Sequence, residues 1–208
     1  MITKKIDYHA PFEYESFYHI YNRGNNKENL FYEPKNYTYF LENWKKYLAE
    51  YLDVYTFCLL PNHFHFLSQV KPEKHILSLS KKIIDINILL EEQFRRLFIT
   101  YSQAINKAQN RTGSLFQKRF KRIKLNRDEY FYRLVHYIHY NPVHHRFCNS
   151  VEDWKYSSFK LIKSNKPTLL KRKDLLNWFG GLKQFLEFHK KELKVSNIYP
   201  FGIDEAET

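Results

Sequence analysis

The sequence has only two cysteines, Cys58 and Cys148, in 208 residues. Two cysteines are too few for a disulfide framework or a cysteine-based zinc site, which fits a reducing compartment. No stretch approaches the roughly 18 apolar residues that cross a bilayer, and the first residues lack the apolar segment of a secretory signal. We therefore expect a cytoplasmic protein that does not span a membrane.

Acidic residues are also scarce, with 22 Asp and Glu against 34 Lys and Arg and a formal net charge of +12 at pH 7. This imbalance favours a polyanionic partner, because Lys and Arg contact phosphates and release counterions. Nucleic acid is the first candidate, and an anionic membrane surface is the second. Aromatic residues make up 18% of the chain, which is enough for a core and excludes wholesale disorder.

Regular spacing of apolar residues predicts six elements before residue 128, while residues 71–90 have no clear pattern. In chain order the elements are a strand at 17–24, a helix from 34, strands at 53–61 and 63–70, a helix over 91–108 and a short strand within 111–127. The order strand, helix, strand, strand, helix, strand predicts a ferredoxin-like α+β fold, which RNA-recognition modules also use. That fold hosts many functions and indicates none by itself.

Two histidines, His63 and His65, flank one aromatic residue in the sequence LLPNHFHFLS. Alternate side chains of a strand share a face, so the two imidazoles should lie side by side while Phe64 and Phe66 pack on the other face. Two ligands on one strand would begin a metal site, but catalytic sites normally need a third protein ligand. The alternative is a pair of surface or hydrogen-bonded histidines.

A further helix is expected from Asn126, which resembles the start of a capping box with Glu129, to Asn141, where Pro142 should end it. Tyr137 and Asn141 are four residues apart and share one face, beside the apolar stripe of this helix. The alternative for Tyr137 is a half-buried packing residue.

The segment from Arg111 to Arg127 carries seven Lys or Arg and no acid, with apolar residues between them. Such a segment can neutralise phosphates while aromatic rings stack on unpaired bases. The candidate DNA contacts are Lys118, Arg119, Lys121 and Arg122. The alternative is a solvated charged loop.

Together these motifs resemble the single-tyrosine HUH transposases, the IS200-like transposase family. The resemblance is carried by PNHFHFL, GSLFQKRFKR and HYIHYNPVHH in that order, and by the opening YHIYNRGNNKENLFYE. The sequences YNPV and WKYSSF indicate the branch of REP-associated tyrosine transposases. The matching region runs from residue 17 to about 160, and Arg23 in its opening motif joins the candidate DNA contacts.

The resemblance implies a role for each matching residue. His63 and His65 would bind Mg²⁺ or Mn²⁺ with Asn141 as third ligand, where many relatives have glutamine, and Tyr137 would be the nucleophile. The implied activity cleaves and rejoins single-stranded, hairpin or repeat DNA through a 5′-phosphotyrosine intermediate. We therefore expect a nicking domain at 1–160 and a basic helical extension with a tail at 161–208. We also expect a nucleoid-associated protein with no membrane partner, and a monomer rather than a homodimer.

Two other functions stay open at this point. A non-catalytic RRM-like module would use the aromatic strands and the positive charge but would not need the His-Phe-His pair. A different metallohydrolase would use His136, His139, His144 or His145 of the HYIHYNPVHH segment beside the pair His63 and His65. His136 and His139 share a helix face that differs from the face of Tyr137 and Asn141, so both sets cannot serve one metal.

Overall fold

The computed structural model describes residues 6–79, 85–125 and 128–190. Four antiparallel strands form one sheet in the order β2-β3-β1-β4. They are β1 (Phe17–Arg23), β2 (Leu52–Leu60), β3 (His63–Val70) and β4 (Lys121–Lys124). The strands and helices follow each other in the predicted order, so the ferredoxin-like α+β fold is confirmed, with β1 and β3 at the centre of the sheet.

Seven α-helices accompany the sheet in the described ranges. They are α1 (Pro34–Leu48), α2 (Glu73–Leu79), α3 (Ile86–Ala108), α4 (Asp128–His144), α5 (Phe159–Lys163), α6 (Arg172–Phe179) and α7 (Leu182–His189). The α3 helix begins five residues before the predicted Glu91, because the Asp85 side chain caps it by accepting the backbone N–H groups of Asn87 and Ile88. None of the helices in these ranges has the length and apolar composition needed to cross a bilayer.

The sheet buries both of its faces, and each face has its own core. On one face α1 and α3 cover residues such as Phe64 and Phe66, and the Trp44 ring stacks on Phe66 with 3.6 Å between centroids. On the other face α4 lies across β2 and β3, and its Leu134 and Ile138 are fully buried. Each such side chain contributes about 1.5–3 kcal/mol on burial.

The helices after residue 160 pack into the second core. Leu175, Phe179 and Phe185 are buried there with residues of α4 and of the sheet. Helices α6 and α7 thus cover the same sheet face as α4. The division of the chain at residue 160 into a domain and an extension stays a prediction.

The α4 helix does not end at Asn141, so that prediction was wrong. It continues through Pro142 to His144, and the N–H of His145 donates to the carbonyl of Asn141 at 3.0 Å. Proline has a φ angle compatible with a helix, and at this position it removes only one hydrogen bond near the end of the helix. The predicted capping box at Asn126 lies outside the described residues.

Candidate active site

The two histidines of β3 lie on the sheet face that α4 covers. His63 is opposite Arg23 of β1 and His65 is opposite Tyr21, while Phe64 and Phe66 point into the core on the other face. Both imidazoles are buried, with 9% of His63 and 1% of His65 exposed. The alternation seen in the sequence thus places both rings on one face of a central strand, as predicted.

The α4 helix brings Tyr137 and Asn141 to these histidines. The Tyr137 ring meets the His65 ring edge-on, with 5.5 Å between centroids. One helical turn later, Oδ1 of Asn141 lies 2.9 Å from Nε2 of His63, and Asn141 is fully buried. Two residues of β3 therefore meet two residues of α4 that come much later in the sequence.

Burial keeps both imidazoles of β3 neutral at pH 7. It lowers the pKa of His63 to about 3, although the contact with Asn141 raises this pKa in part. Burial also holds the pKa of His65 well below its usual value, and the neighbouring His19 lowers it further. A neutral imidazole has a lone pair on one nitrogen, which is the form that binds metals.

The hydrogen bonds of His63 indicate which nitrogen has that lone pair. Nδ1 of His63 lies 2.7 Å from Oδ1 of Asn62, whose Nδ2 donates to the Lys27 carbonyl. The His63 proton is therefore on Nδ1, and the lone pair of Nε2 faces the Asn141 Oδ1, which is also an acceptor. A cation between the two atoms, or a rotated Asn141 amide, would relieve this contact.

Two other polar atoms at the site have no hydrogen-bond partner in the described part of the chain. They are Nε2 of His65 and Nδ2 of Asn141, and both are buried. A buried polar atom without a partner costs about 1–3 kcal/mol, so a native structure normally supplies one. A metal ion bound to His63, His65 and Asn141 Oδ1 would engage the orphaned nitrogen of His65.

Two imidazole nitrogens and one amide oxygen could bind a divalent cation with octahedral geometry. Ligand atoms at neighbouring corners of an octahedron with bonds of about 2.1 Å lie about 3.0 Å apart. The separation of 2.9 Å between His63 Nε2 and Asn141 Oδ1 agrees with this value. No group of three or more His, Cys, Asp or Glu in the described ranges is arranged to hold a metal, so an asparagine oxygen would have to complete the set.

Sequence reasoning missed a third histidine at the site. His19 of β1 is fully buried, and its Nε2 lies 3.0 Å from Nδ1 of His65. Its ring stacks on Tyr21 and meets Tyr137 edge-on. The signal was available, because residues 17, 19, 21 and 23 of a strand share one face and Arg23 was already a candidate.

The basic candidates have different surroundings. Arg23 is half-buried beside His63, and Lys121 lies on the same sheet face, over the rings of Tyr8 and Tyr21. Lys118 and Arg119 are exposed in the loop before β4. Contact of these four residues with DNA stays a prediction.

Arg122 has to be removed from the set of DNA contacts. Its side chain is only 7% exposed, donates to the Ala10 carbonyl at 2.7 Å and binds Glu91 at 2.6 Å. The guanidinium also lies against the Phe12 ring, 4.8 Å from its centroid. Neighbouring residues of a strand point to opposite faces, so Lys121 and Arg122 cannot share one surface.

His136 and His139 of α4 belong to another cluster. Nε2 of His139 contacts Thr56 Oγ1 at 2.6 Å and Ser158 Oγ at 2.8 Å, and its Nδ1 lies 2.9 Å from Nε2 of His189. His139 is therefore fully engaged between β2, α5 and α7. This arrangement gives no support to a metallohydrolase built on His136 and His139.

Comparisons with known proteins find a resemblance in sequence and a likeness in fold. A curated protein of Haemophilus influenzae, named "Putative REP-associated tyrosine transposase", is 35% identical over 104 residues, which are 49% of this chain and 56% of that protein. The chain resembles the REP-associated tyrosine transposases. It matches somewhat more than half the length of this curated relative. No protein-family profile matches the chain.

A solved structure supports the transposase resemblance at the level of the fold. The structure of a REP-associated tyrosine transposase bound to a REP hairpin superposes with a TM-score of 0.58 and 16% identity. The superposition covers 80% of this chain and 89% of the other. This likeness shows a shared overall fold.

Proposed function

We propose that this chain is a REP-associated tyrosine transposase that cleaves and rejoins single-stranded or hairpin DNA. One observation carries the proposal: Tyr137 and Asn141 of α4 meet His63 and His65 of β3 on one buried sheet face. A module that only binds nucleic acid has no use for such a cluster. The curated relative and the hairpin-bound structure support DNA as the substrate.

In the proposed reaction Tyr137 is the nucleophile. Its hydroxyl oxygen attacks the scissile phosphorus, a bond forms between tyrosine and the 5′ phosphate, and the bond to the 3′ oxygen breaks. The tyrosine proton leaves to solvent, and a proton restores the free 3′ hydroxyl. Because the phosphotyrosine keeps a phosphodiester bond, a 3′ hydroxyl can attack it later and rejoin the strand without ATP.

The other residues of the site hold and orient the reacting groups. His63, His65 and Asn141 would bind Mg²⁺ or Mn²⁺, which supplies Lewis acidity toward a phosphate oxygen when bound. Arg23, next to His63, would pair with the phosphate backbone of the strand. Tyr137 is only 5% exposed, which would limit the access of water to a covalent intermediate.

The proposal is tested by the formation of a covalent adduct. Labelled single-stranded hairpin DNA is incubated with the protein, with and without divalent metal, and is resolved on a denaturing gel. We expect a slowly migrating band that protease removes and that requires metal. Absence of this band on every repeat-derived hairpin, with DNA binding retained, would instead favour the non-catalytic RRM-like module. Sedimentation of the same sample tests the prediction of a monomer.

A further inference from the structure

A groove of about 840 Å³ lies between α3 and the loop that leads into β4, on the sheet face opposite the histidines. Its floor includes the half-exposed rings of Phe98 and Phe120. We propose that this groove binds the single-stranded DNA that continues from the scissile phosphate. The inference rests on the proposed function and adds a second DNA site to it.

The charge of the groove favours a polyanion. Lys118 and Arg119 line it, are exposed, and have no ion-pair partner in the described part of the chain. Glu91 is the only carboxylate among its described lining residues, and Arg122 neutralises it at 2.6 Å. The groove thus presents two uncompensated cations at its rim, which suits a phosphate backbone.

The interior of the groove suits unpaired bases. Gln103 of α3 and Gln117 of the loop line it, and neither side chain makes a hydrogen bond to another described residue. Glutamine amides can both donate to and accept from base edges, and aromatic rings stack on bases of any sequence. Such a volume, with apolar walls and a few open polar groups, is typical of sites for nucleotide-sized ligands.

The groove is also placed to continue a path from the active site. The N–H of Gln117 donates to the carbonyl of Arg23 at 2.9 Å, and Arg23 pairs with His63 on the next strand. Two strand spacings, or about 10 Å, therefore separate the loop backbone from the backbone of His63. A single strand can pass over this end of the sheet, whereas a rigid duplex cannot bend so sharply.

The test compares a hairpin that has a single-stranded extension with the same hairpin cut flush. The double variant Lys118→Gln/Arg119→Gln should bind the extended hairpin about tenfold more weakly and the flush hairpin nearly as well as the wild type. For the extended hairpin, the slope of log affinity against log salt concentration should decrease in magnitude by about 1.4. Gln103→Trp should fill the groove without changing its charge. It should also weaken binding of the extended hairpin and leave binding of the flush hairpin nearly unchanged.

The matched control is Lys45→Gln/Lys46→Gln, which removes the same charge from the exposed surface of α1. It should weaken both DNAs slightly and equally. Equal losses on both DNAs in the groove variants, or no loss in either, would overturn the proposal. Adduct formation at saturating DNA depends on Tyr137 and not on the groove, so its absence in the wild type would refute the proposed function separately.

A different observation assigns a role to His19. Nε2 of His19 lies 3.0 Å from Nδ1 of His65, while the opposite nitrogen of His65 is the orphaned one. For His65 to bind a cation through Nε2, its proton must be on Nδ1 and must be donated to His19. We infer that His19 is a positioning residue that fixes the tautomer and orientation of His65.

Two variants of His19 separate this role from simple packing. His19→Gln keeps an acceptor near the position of Nε2, whereas His19→Phe keeps a ring against Tyr21 and loses the acceptor. By calorimetry we expect Mn²⁺ affinity near the wild-type value in the glutamine variant and 10–100-fold lower in the phenylalanine variant. Hairpin binding in EDTA should be the same in both.

Three results would count against the assignment of His19. Wild-type Mn²⁺ affinity in His19→Phe would show that the acceptor is dispensable. Equal losses in both variants, with DNA binding in EDTA retained, would show that the residue only packs. If the wild type bound no Mn²⁺ at all, the metal site itself would fail, and the inference about His19 would fail with it.

Discussion

The Tyr137 ring stands at 81° to the His65 ring, with 5.5 Å between their centroids. This contact joins the proposed nucleophile to a proposed metal ligand, so the two functions can be separated by substitution. Tyr137→Phe removes one oxygen and keeps the ring contact. We predict that this variant forms no covalent adduct on a denaturing gel, while its DNA affinity and its thermal midpoint stay close to those of the wild type.

The control for this prediction is Tyr140→Phe, because Tyr140 is on the same helix and its ring stacks on His136, away from His65. It should form the adduct at the wild-type level. An adduct that persists in Tyr137→Phe and disappears in Tyr140→Phe would identify Tyr140 as the nucleophile.

The metal site should be measurable without catalysis. A cation at a hundred times its dissociation constant stabilises a folded protein by about 2.7 kcal/mol, so Mn²⁺ should raise the thermal midpoint of the wild type. His63→Ala and His65→Ala should lose most of this rise, and Asn141→Ala should lose less, because water can replace an amide oxygen on Mg²⁺ or Mn²⁺. An equal rise in all three variants would show that the cation binds elsewhere.

Arg122 should matter for stability and not for DNA. Arg122→Gln removes the ion pair with Glu91 and the bond to Ala10, which should lower the free energy of unfolding by about 2 kcal/mol. The salt dependence of hairpin binding should match that of the wild type. Urea unfolding and a salt titration measure the two effects, and a reduced salt slope in this variant would restore Arg122 to the DNA contacts.

The pair His139 and His189 should make the protein sensitive to acid. Burial lowers the pKa of His189 to about 3 and holds the pKa of His139 well below its usual value. The unfolded chain takes up these protons below about pH 6.5, and the folded chain does not. Stability is therefore complete above that pH and is lost as the pH falls toward 3, by about 1.4 kcal/mol per pH unit for each histidine.

Urea unfolding between pH 7.5 and 5 measures this loss. His189→Gln removes one of the two titrating groups and keeps the capacity for a hydrogen bond to His139. The slope of stability against pH below 6.5 should become shallower by up to about 1.4 kcal/mol per unit. An unchanged slope would mean that other groups cause the acid sensitivity.

The sequence predicted the parts of the site that depend on local periodicity. Strand alternation placed His63 and His65 on one face, and helical spacing placed Tyr137 and Asn141 on another. The meeting of these two faces depends on the packing of α4 across β3, which no local pattern contains. That meeting was expected only because the motifs resemble a known family.

The errors came from treating charge as a property of a whole segment. Lys121 and Arg122 are adjacent in a short strand that was itself predicted, and strand alternation already implied that only one of them faces the surface of the site. The predicted end of α4 was wrong for a different reason. A general rule about proline was applied without regard to the position of Pro142 near the end of the helix.

The contact between His139 and His189 also ties the helix of the proposed nucleophile to a segment 50 residues later in the sequence. Residues 182–189 leave the ribosome after every histidine, tyrosine and asparagine of the active site. Until then, the helix that holds Tyr137 lacks the neighbours that cover its outer side. The packing around α4 is therefore complete only after α7 has been synthesised.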